Sequence, residues 1–334
     1  MKRCTRCILP ETFPGIKFDE AGVCNYCLAF ADAFQKQERL KQRLRQKFYH
    51  ILEQVCGQNS YDCLMSWSGG KDSTYTLMLL KQDYDLDILA FTFDIGFTSP
   101  TAFSNMRRVS ENLGVDHVIV KPRFDLLRQV FVASTARDMY PAKALHRASN
   151  ICTSCVGMAK GIALRMAIEK KIPIIAYGWS PGQAPLTSAI FKTNPQMMRA
   201  MLSATIVPLQ KVVGDGIAPY FPAEHHFDDA TRFPYNVSPL VFLDYDEGAA
   251  YTRIQELGWE RPDDTDPNST NCLLNAFANE VHKQHMGYHP YVLELANLVR
   301  GGYLDREEAL RRVGMPPDPV VLTAVRAKLG LLPY

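Results

Sequence analysis

The sequence has no run of about eighteen consecutive apolar residues, so no membrane-spanning helix is expected. No apolar stretch of the signal-peptide kind stands near its start, and a cytoplasmic chain is therefore expected. Charge of one sign is missing too. The 37 Lys and Arg stand against 35 Asp and Glu, a formal net charge of +2 that gives little overall drive toward nucleic acid or membrane. Internal repeats and low-complexity tracts are absent, which excludes solenoids and linker-like proteins. What remains is a globular composition, 47% hydrophobic and 22% charged, in 334 residues, enough for one large domain or two. Nine cysteines without a secretion signal point to thiols and metal ligands, not disulfides.

One stretch organises the chain. Tyr61 to Trp67 reads as a short buried strand, and Ser73 to Lys81 places apolar residues at helical spacing. Between them lies Ser68-Gly69-Gly70-Lys71-Asp72-Ser73. A strand, a glycine turn and a helix N-terminus aim backbone N–H groups and the positive end of a helix dipole at one point, where an anion can sit. The Walker loop has four residues between its first glycine and Gly-Lys, and this stretch does not. The plainer alternative is an ordinary glycine turn.

Further strands are expected at Leu86 to Asp94, His117 to Val120 and Ile172 to Ser180, with helices at Ser104 to Leu113 and Val156 to Lys170. This alternation predicts an α/β fold with a doubly wound parallel sheet, whose ligands lie beyond the carboxyl ends of the strands. Asp94 stands at such an end. Residues 31–57 read as a basic helical linker, 58–260 as the α/β domain and 261–334 as a helical C-terminal region. Within the domain, about 185–240 reads as an insertion shaping the acceptor pocket, Leu240 to Asp246 as a return to the sheet, and Gly248 to Leu257 as a helix. His225-His226 and Asp228-Asp229 within it fit a solvated loop better than a metal site.

Two cysteine sets stand out. Cys4, Cys7, Cys24 and Cys27 form two Cys-x-x-Cys pairs inside residues 1–30, the spacing of a four-thiolate zinc knuckle. So short a piece cannot bury a core alone, and the metal would supply folding energy. Cys152, Cys155 and Cys272 form the second set. Iron–sulfur ligands, a catalytic persulfide or disulfide pair, and a second zinc or buried thiols are its open readings. Cys56 and Cys63 flank the loop strand and read as small buried hydrophobes.

The loop resembles the Ser-Gly-Gly-x-Asp-Ser motif of the PP-loop superfamily, the N-type ATP pyrophosphatases. That resemblance implies ATP with Mg²⁺, cleavage between the α and β phosphates, and adenylation of a carbonyl or enol oxygen that a nitrogen or sulfur nucleophile then displaces. It places Ser68, Gly69, Gly70, Lys71, Asp72 and Ser73 around the pyrophosphate, with Lys71, Asp72 and Ser73 catalytic. It also puts Asp94 near the adenosine or metal, against a plain capping role, and carries Gly178 over as cofactor-binding. Cys152-Thr-Ser-Cys155, Gly161 to Arg165 and the following strand are similar to iron–sulfur PP-loop tRNA 2-thiolation enzymes, though Gly178-Trp179-Ser180 stands where those have a Gly-His-His-type turn. In that family a Cys-x-x-Cys and one distant cysteine hold a 4Fe–4S cluster. The knuckle segments Arg3 to Pro10 and Phe18 to Cys27, with Gly302 to Leu310, resemble N-acetyl sugar amidotransferases of surface-polysaccharide pathways. Sulfur transfer to a small-molecule or RNA acceptor is the expected reaction, with a sulfur donor protein as partner. The alternative is amidotransfer to a nucleotide sugar, fed by a partner glutaminase because the chain has no convincing glutaminase nucleophile. A non-catalytic nucleotide- or metal-binding module is the third reading, and an oligomer is compatible with all three.

Overall fold

The structure, a computed structural model, describes residues 1–136 and 138–331. Residue 137, within the expected α/β domain, and residues 332–334, including Leu332 at the end of the expected C-terminal helices, lie outside those described.

Helix α1 (Asn25–Val55) leads into β1 (Cys63–Ser66), α2 (Lys71–Met78), β2 (Ile88–Phe93), α3 (Pro100–Leu113) and β3 (Asp116–Val120). Then come α4 (Phe124–Ala136), α5 (Ala142–Leu145), α6 (Asn150–Lys170) and β4 (Ile174–Tyr177). The next stretch holds β5 (Ile190–Lys192), α7 (Pro195–Val213), β6 (Tyr235–Val237) and α8 (Glu247–Glu256). Four helices follow: α9 (Leu274–Met286), α10 (Val292–Arg300), α11 (Arg306–Gly314) and α12 (Pro319–Leu329). The strands form one sheet in the order β3-β2-β1-β4-β6-β5, parallel throughout except for the antiparallel edge strand β5.

The central strands are short, continuous apolar runs because helices cover both faces. Alternate residues part to opposite sides. Leu64, Leu89, Phe91, Ile175 and Tyr177 join a core with α4, α6, α7, α9 and α12. Cys63, Met65, Ile88, Ala90, Ile174 and Ala176 join another with α1, α2, α3 and α8. Helix α6 is long and apolar enough to cross a membrane by length and composition, but half of that window is buried inside the protein. It packs on the sheet through Met158, Ile162, Ala163 and Leu164.

The return to the sheet is Tyr235–Val237, not Leu240 to Asp246 as the sequence suggests. Leu240, Val241 and Phe242 are buried and apolar, as expected of a strand, but Pro239 opens a 3₁₀ turn over Pro239–Val241 instead. Proline has no N–H for a ladder, and the apolar run fills the core from a turn. Helix α8 then matches expectation within a residue at each end.

Residues 1–27 share a third core with the chain's far end: Ile8, Leu9 and Phe13 pack with Tyr288, Val292, Leu295, Ala309 and Val313. The C-terminal half of α1 lies on the sheet through Leu44, Phe48 and Ile51, at helical spacing. Phe48 is fully buried, its ring 5.1 Å from Tyr84 and 5.7 Å from Phe242. Phe48→Ala should therefore cost about 3–5 kcal/mol of stability, the usual range for emptying a buried ring site. Urea unfolding of the two proteins checks this, and a loss under about 1 kcal/mol would mean that α1 is not docked as described.

Candidate active site at the carboxyl edge of the sheet

β1 ends at Ser66, and the chain turns through Gly69 in the left-handed region, φ +77°, before α2 begins at Lys71. A Cβ on Gly69 would meet the Met106 methyl at 2.4 Å, so this turn requires glycine twice over. The indole N–H of Trp259 donates to the Gly69 carbonyl at 3.0 Å, and that of Trp67 to the Thr74 hydroxyl at 3.0 Å. Ser73 Oγ accepts the Ser68 N–H at 3.3 Å and lies 2.9 Å from the Ser68 hydroxyl. Gly178, just past β4, presses on the helix start: a Cβ there would stand 2.4 Å from Ser73 Cα. Gly178 is thus brought to the loop, as expected, through close backbone packing.

Lys71 is held in a charge network. Its ammonium reaches Glu247 Oε1 at 2.5 Å, Tyr245 OH at 2.8 Å and Asp72 Oδ1 at 3.1 Å. Glu247 also pairs with Arg312 at 2.8 Å, and Tyr245 donates to Asp72 at 2.7 Å. Burial disfavours the charge on Lys71, but Asp72 and Glu247 outweigh it and raise its pKa. Burial likewise opposes ionisation of Glu247, and Arg312 and Lys71 outweigh it, holding the carboxyl at about 2. All three Lys71 donors are engaged by protein groups, so its charge sets the turn's position from behind.

The segment before α9 lies across the loop. The Lys71 N–H donates to Thr270 Oγ1 at 2.9 Å, so a hydroxyl occupies the first donor of α2. That segment is sewn to the end of β2. Ser99 N–H donates to Asn271 O at 2.9 Å, Leu273 N–H to Phe97 O at 2.8 Å, and Thr98 bridges Cys272. Asp94 stands at the β2 end as expected, buried, accepting the Gly96 N–H at 2.8 Å with Lys121 at 3.6 Å.

Cys152 and Cys155 lie on the first turns of α6, whose N-cap Ser149 accepts the Cys152 N–H at 3.1 Å. Burial raises all three thiols of the second set. Cys155 is raised further by Cys272 and Cys152, and Cys272, at about 12, by Cys152, so the three are neighbours. The Asn275 amide approaches Cys152 Sγ at 3.8 Å. Among the described residues, only the knuckle cysteines gather as a set able to share one metal ion, their sulfurs within 4.8 Å of one another. There Cys4 and Cys27 sulfurs are 3.8 Å apart and Cys7 and Cys24 sulfurs 3.7 Å. Four thiolates about 2.3 Å from a shared ion form a tetrahedron with edges of about 3.8 Å. Arg300 reaches Cys7 Sγ at 3.3 Å, and the Cys24 N–H reaches Cys4 Sγ at 3.2 Å.

Beside the loop is a cavity of about 600 Å³ between α6, the end of β4, α7 and α10, with Cys152, Lys160, Trp179 and Glu294 in its wall. Glu294 joins the two regions. Burial and then the charge of Asp72 raise its pKa to about 8, while Ser180 donates to it at 3.3 Å.

His226 is buried and held by Glu169 at 3.0 Å, where the sequence suggests a solvated loop, and Asp229 caps a 3₁₀ turn. Cys63 is fully buried and Cys56 partly so. Sequence reasoning did not find Glu247, Arg312, Thr270, Trp259 or Glu294, which reach the site from remote elements. Lys160 left a weak signal, a cation in the middle of a largely apolar helical pattern.

A profile of a family of unknown function, DUF7411, matches residues 61–176, from just before β1 into β4. An uncharacterized protein of Methanocaldococcus jannaschii is 23% identical over 330 residues, covering 98% of this chain and 99% of the relative. Among solved structures, the U34-tRNA thiolase NcsA from Methanococcus maripaludis, solved with its 4Fe–4S cluster, is similar at 17% identity and a TM-score of 0.37. That match covers 100% of this chain and 99% of the other, and its score is too low to bear on the reaction. The PP-loop resemblance holds in the fold itself: the Ser-Gly-Gly-Lys-Asp-Ser turn joins β1 to α2 at the carboxyl edge of a mainly parallel α/β sheet, with a four-cysteine cluster at the N-terminus.

Proposed function

We propose that this chain is an ATP pyrophosphatase-type transferase that passes AMP to a carbonyl oxygen of an acceptor bound in the cavity, releasing pyrophosphate, and then exchanges that oxygen for sulfur. The observation that carries the reading is the juxtaposition of the loop, Glu294 and a cavity with Cys152 in its wall. Backbone N–H groups of the turn and of the α2 start, with the Ser68 and Ser73 hydroxyls, would hold the phosphates. Thr270 rotates away from the Lys71 N–H as they arrive. Mg²⁺ would be held by the phosphates and Asp72, neutralising charge as the phosphates separate. Lys71 keeps Asp72 and the turn in place.

The second set fits an iron–sulfur group by its donors: three free thiols on two elements, neighbours of one another, near a helix N-terminus that favours thiolates. Cys152, Cys155 and Cys272 would hold a 4Fe–4S cluster whose remaining iron, free of protein ligand, supplies bound sulfur. A cubane spreads its thiolates over separate irons, whereas the knuckle sulfurs have the spacing of a single ion. The knuckle therefore takes Zn²⁺ and serves folding.

Ser73→Ala should lower pyrophosphate release about 10²-fold while leaving the unfolding midpoint nearly unchanged, and Asp72→Asn should lower release at least as much while also lowering the midpoint, because it removes a partner of Lys71. Release at the wild-type rate in both would end the assignment. Protein purified without oxygen should be brown, and Cys152→Ala, Cys155→Ala or Cys272→Ala should each bleach it. Those variants should keep AMP transfer and lose sulfur incorporation. Colourless protein that uses ammonia and makes a sulfur-free product would establish amidotransfer instead. Cys7→Ser should lose zinc and lower thermal stability, measured by metal analysis beside a melt, and unchanged zinc would remove Cys7 from the ligand set.

A further inference from the structure

The cavity wall contains charges that the protein does not balance. Lys160 lies with its ammonium 5.6 Å from the centre of the Tyr177 ring and 5.5 Å from that of Trp179. Burial alone acts on its pKa, lowering it, and no carboxylate pairs with it among the described residues. Arg147, in the same wall, donates to the Gln183 carbonyl at 2.9 Å and likewise has no carboxylate partner there. The acid in the wall, Glu294, keeps its proton to about pH 8. The wall therefore holds two basic side chains with no carboxylate partner among the described residues. An ammonium withdrawn from water is costly without an anion, and two aromatic faces offset only part of that, about 0.5–2 kcal/mol.

A second observation is independent of charge. Seven buried polar side-chain atoms lack a hydrogen-bond partner among the described residues, and three of them belong to residues of this wall: Thr153 Oγ1, Asn236 Nδ2 and Asn279 Oδ1. Asn236 is 8% exposed and Asn279 2%. Buried polar atoms are nearly always paired, so three unpaired ones on residues that line a single cavity set this wall apart from an ordinary apolar core. Facing them are Met198, Met201 and Leu202 of α7, an adaptable apolar surface. A volume of about 600 Å³ is that of a small-molecule site, whereas single-stranded nucleic acid calls for an extended basic groove.

We infer that the cavity binds a small amphipathic carboxylic acid, its carboxylate paired with Lys160 and its apolar body against the methionines of α7, and that this acid is the acceptor. The second half of that statement rests on the proposed function. Tyr177, whose ring lies 5.6 Å from the Lys160 ammonium, pairs in register with Ser66 at the end of the strand that leads into the loop. A carboxylate oxygen presented there attacks the α-phosphorus. One P–O bond forms, the α–β bridging P–O bond breaks, and its electron pair leaves with pyrophosphate.

The test uses the full chain without nucleotide, with octanoate and 3-phenylpropionate as probes against octanamide and 3-phenylpropionamide, binding read by calorimetry. The acids should bind at least tenfold more tightly than the amides. Lys160→Met, similar in length and apolar, should abolish that preference, and Lys160→Arg should restore it. A melt of each variant verifies folding. Equal affinity for acid and amide, or a preference that survives Lys160→Met, overturns the site. Displacement of bound acid by an anticodon stem-loop RNA would overturn it in favour of a nucleic-acid pocket. With ATP added, the acids should stimulate pyrophosphate release. Acid binding through Lys160 without such stimulation would leave the site standing and overturn its role as acceptor site. No pyrophosphate release with any acceptor would sink the enzymatic reading itself.

Discussion

Lys71, Asp72, Glu247 and Arg312 form a linked group of charges on which the site's geometry depends, extended through Glu308 to Arg311, three cations against three anions beside the glycine turn. Taken singly, each would be costly to remove from water. Together they compensate, and losing one would leave a buried charge uncompensated at a cost of about 3–5 kcal/mol. The group ties the start of α2 to the start of α8 and to α11, elements far apart in the chain. Such networks add little net stability over well-packed apolar residues. Their contribution here is position: the side chains beside the turn are fixed to α8 and α11.

The bracing extends further. Arg306, on the same helix as Arg312, donates to the Cys7 and Cys4 carbonyls at 3.1 Å each. Helix α11 thus touches the knuckle at one end and, through Arg312, the Glu247 that pairs with Lys71 at the other. Cysteine spacing within the knuckle marks a metal site in the sequence, but nothing in that spacing says that its apolar face is closed by residues near 290 and 310. The same holds for Thr270, whose hydroxyl lies on the α2 start only because its segment is sewn to the end of β2.

Local order was readable and remote order was not. The strands around β1, β2 and β4 follow from short apolar runs, and the turn between β1 and α2 from its glycines, because neighbours in sequence decide both. Leu240 to Phe242 misled because apolarity signals burial and not conformation, and Pro239 settled the conformation. Lys71 was assigned to the phosphates from its place in the motif, and its surroundings depend on Glu247 and Tyr245, about 175 residues away. Asp94 and Gly178 come to the same edge of the sheet because strand ends in a parallel sheet converge there whatever the details.

The shared core of the N-terminal knuckle has a consequence for biosynthesis. Ile8, Leu9 and Phe13 close against Tyr288, Val292 and Val313, so on synthesis they wait for segments made about 280 to 300 residues later. At about 5–20 residues per second, that interval is on the order of tens of seconds. Throughout it, Cys4, Cys7, Cys24 and Cys27 are covered by no partner from the chain's other end. Metal captured early would protect them from oxidation, and the completed fold would then seal the ion in by docking α10 and α11 over it.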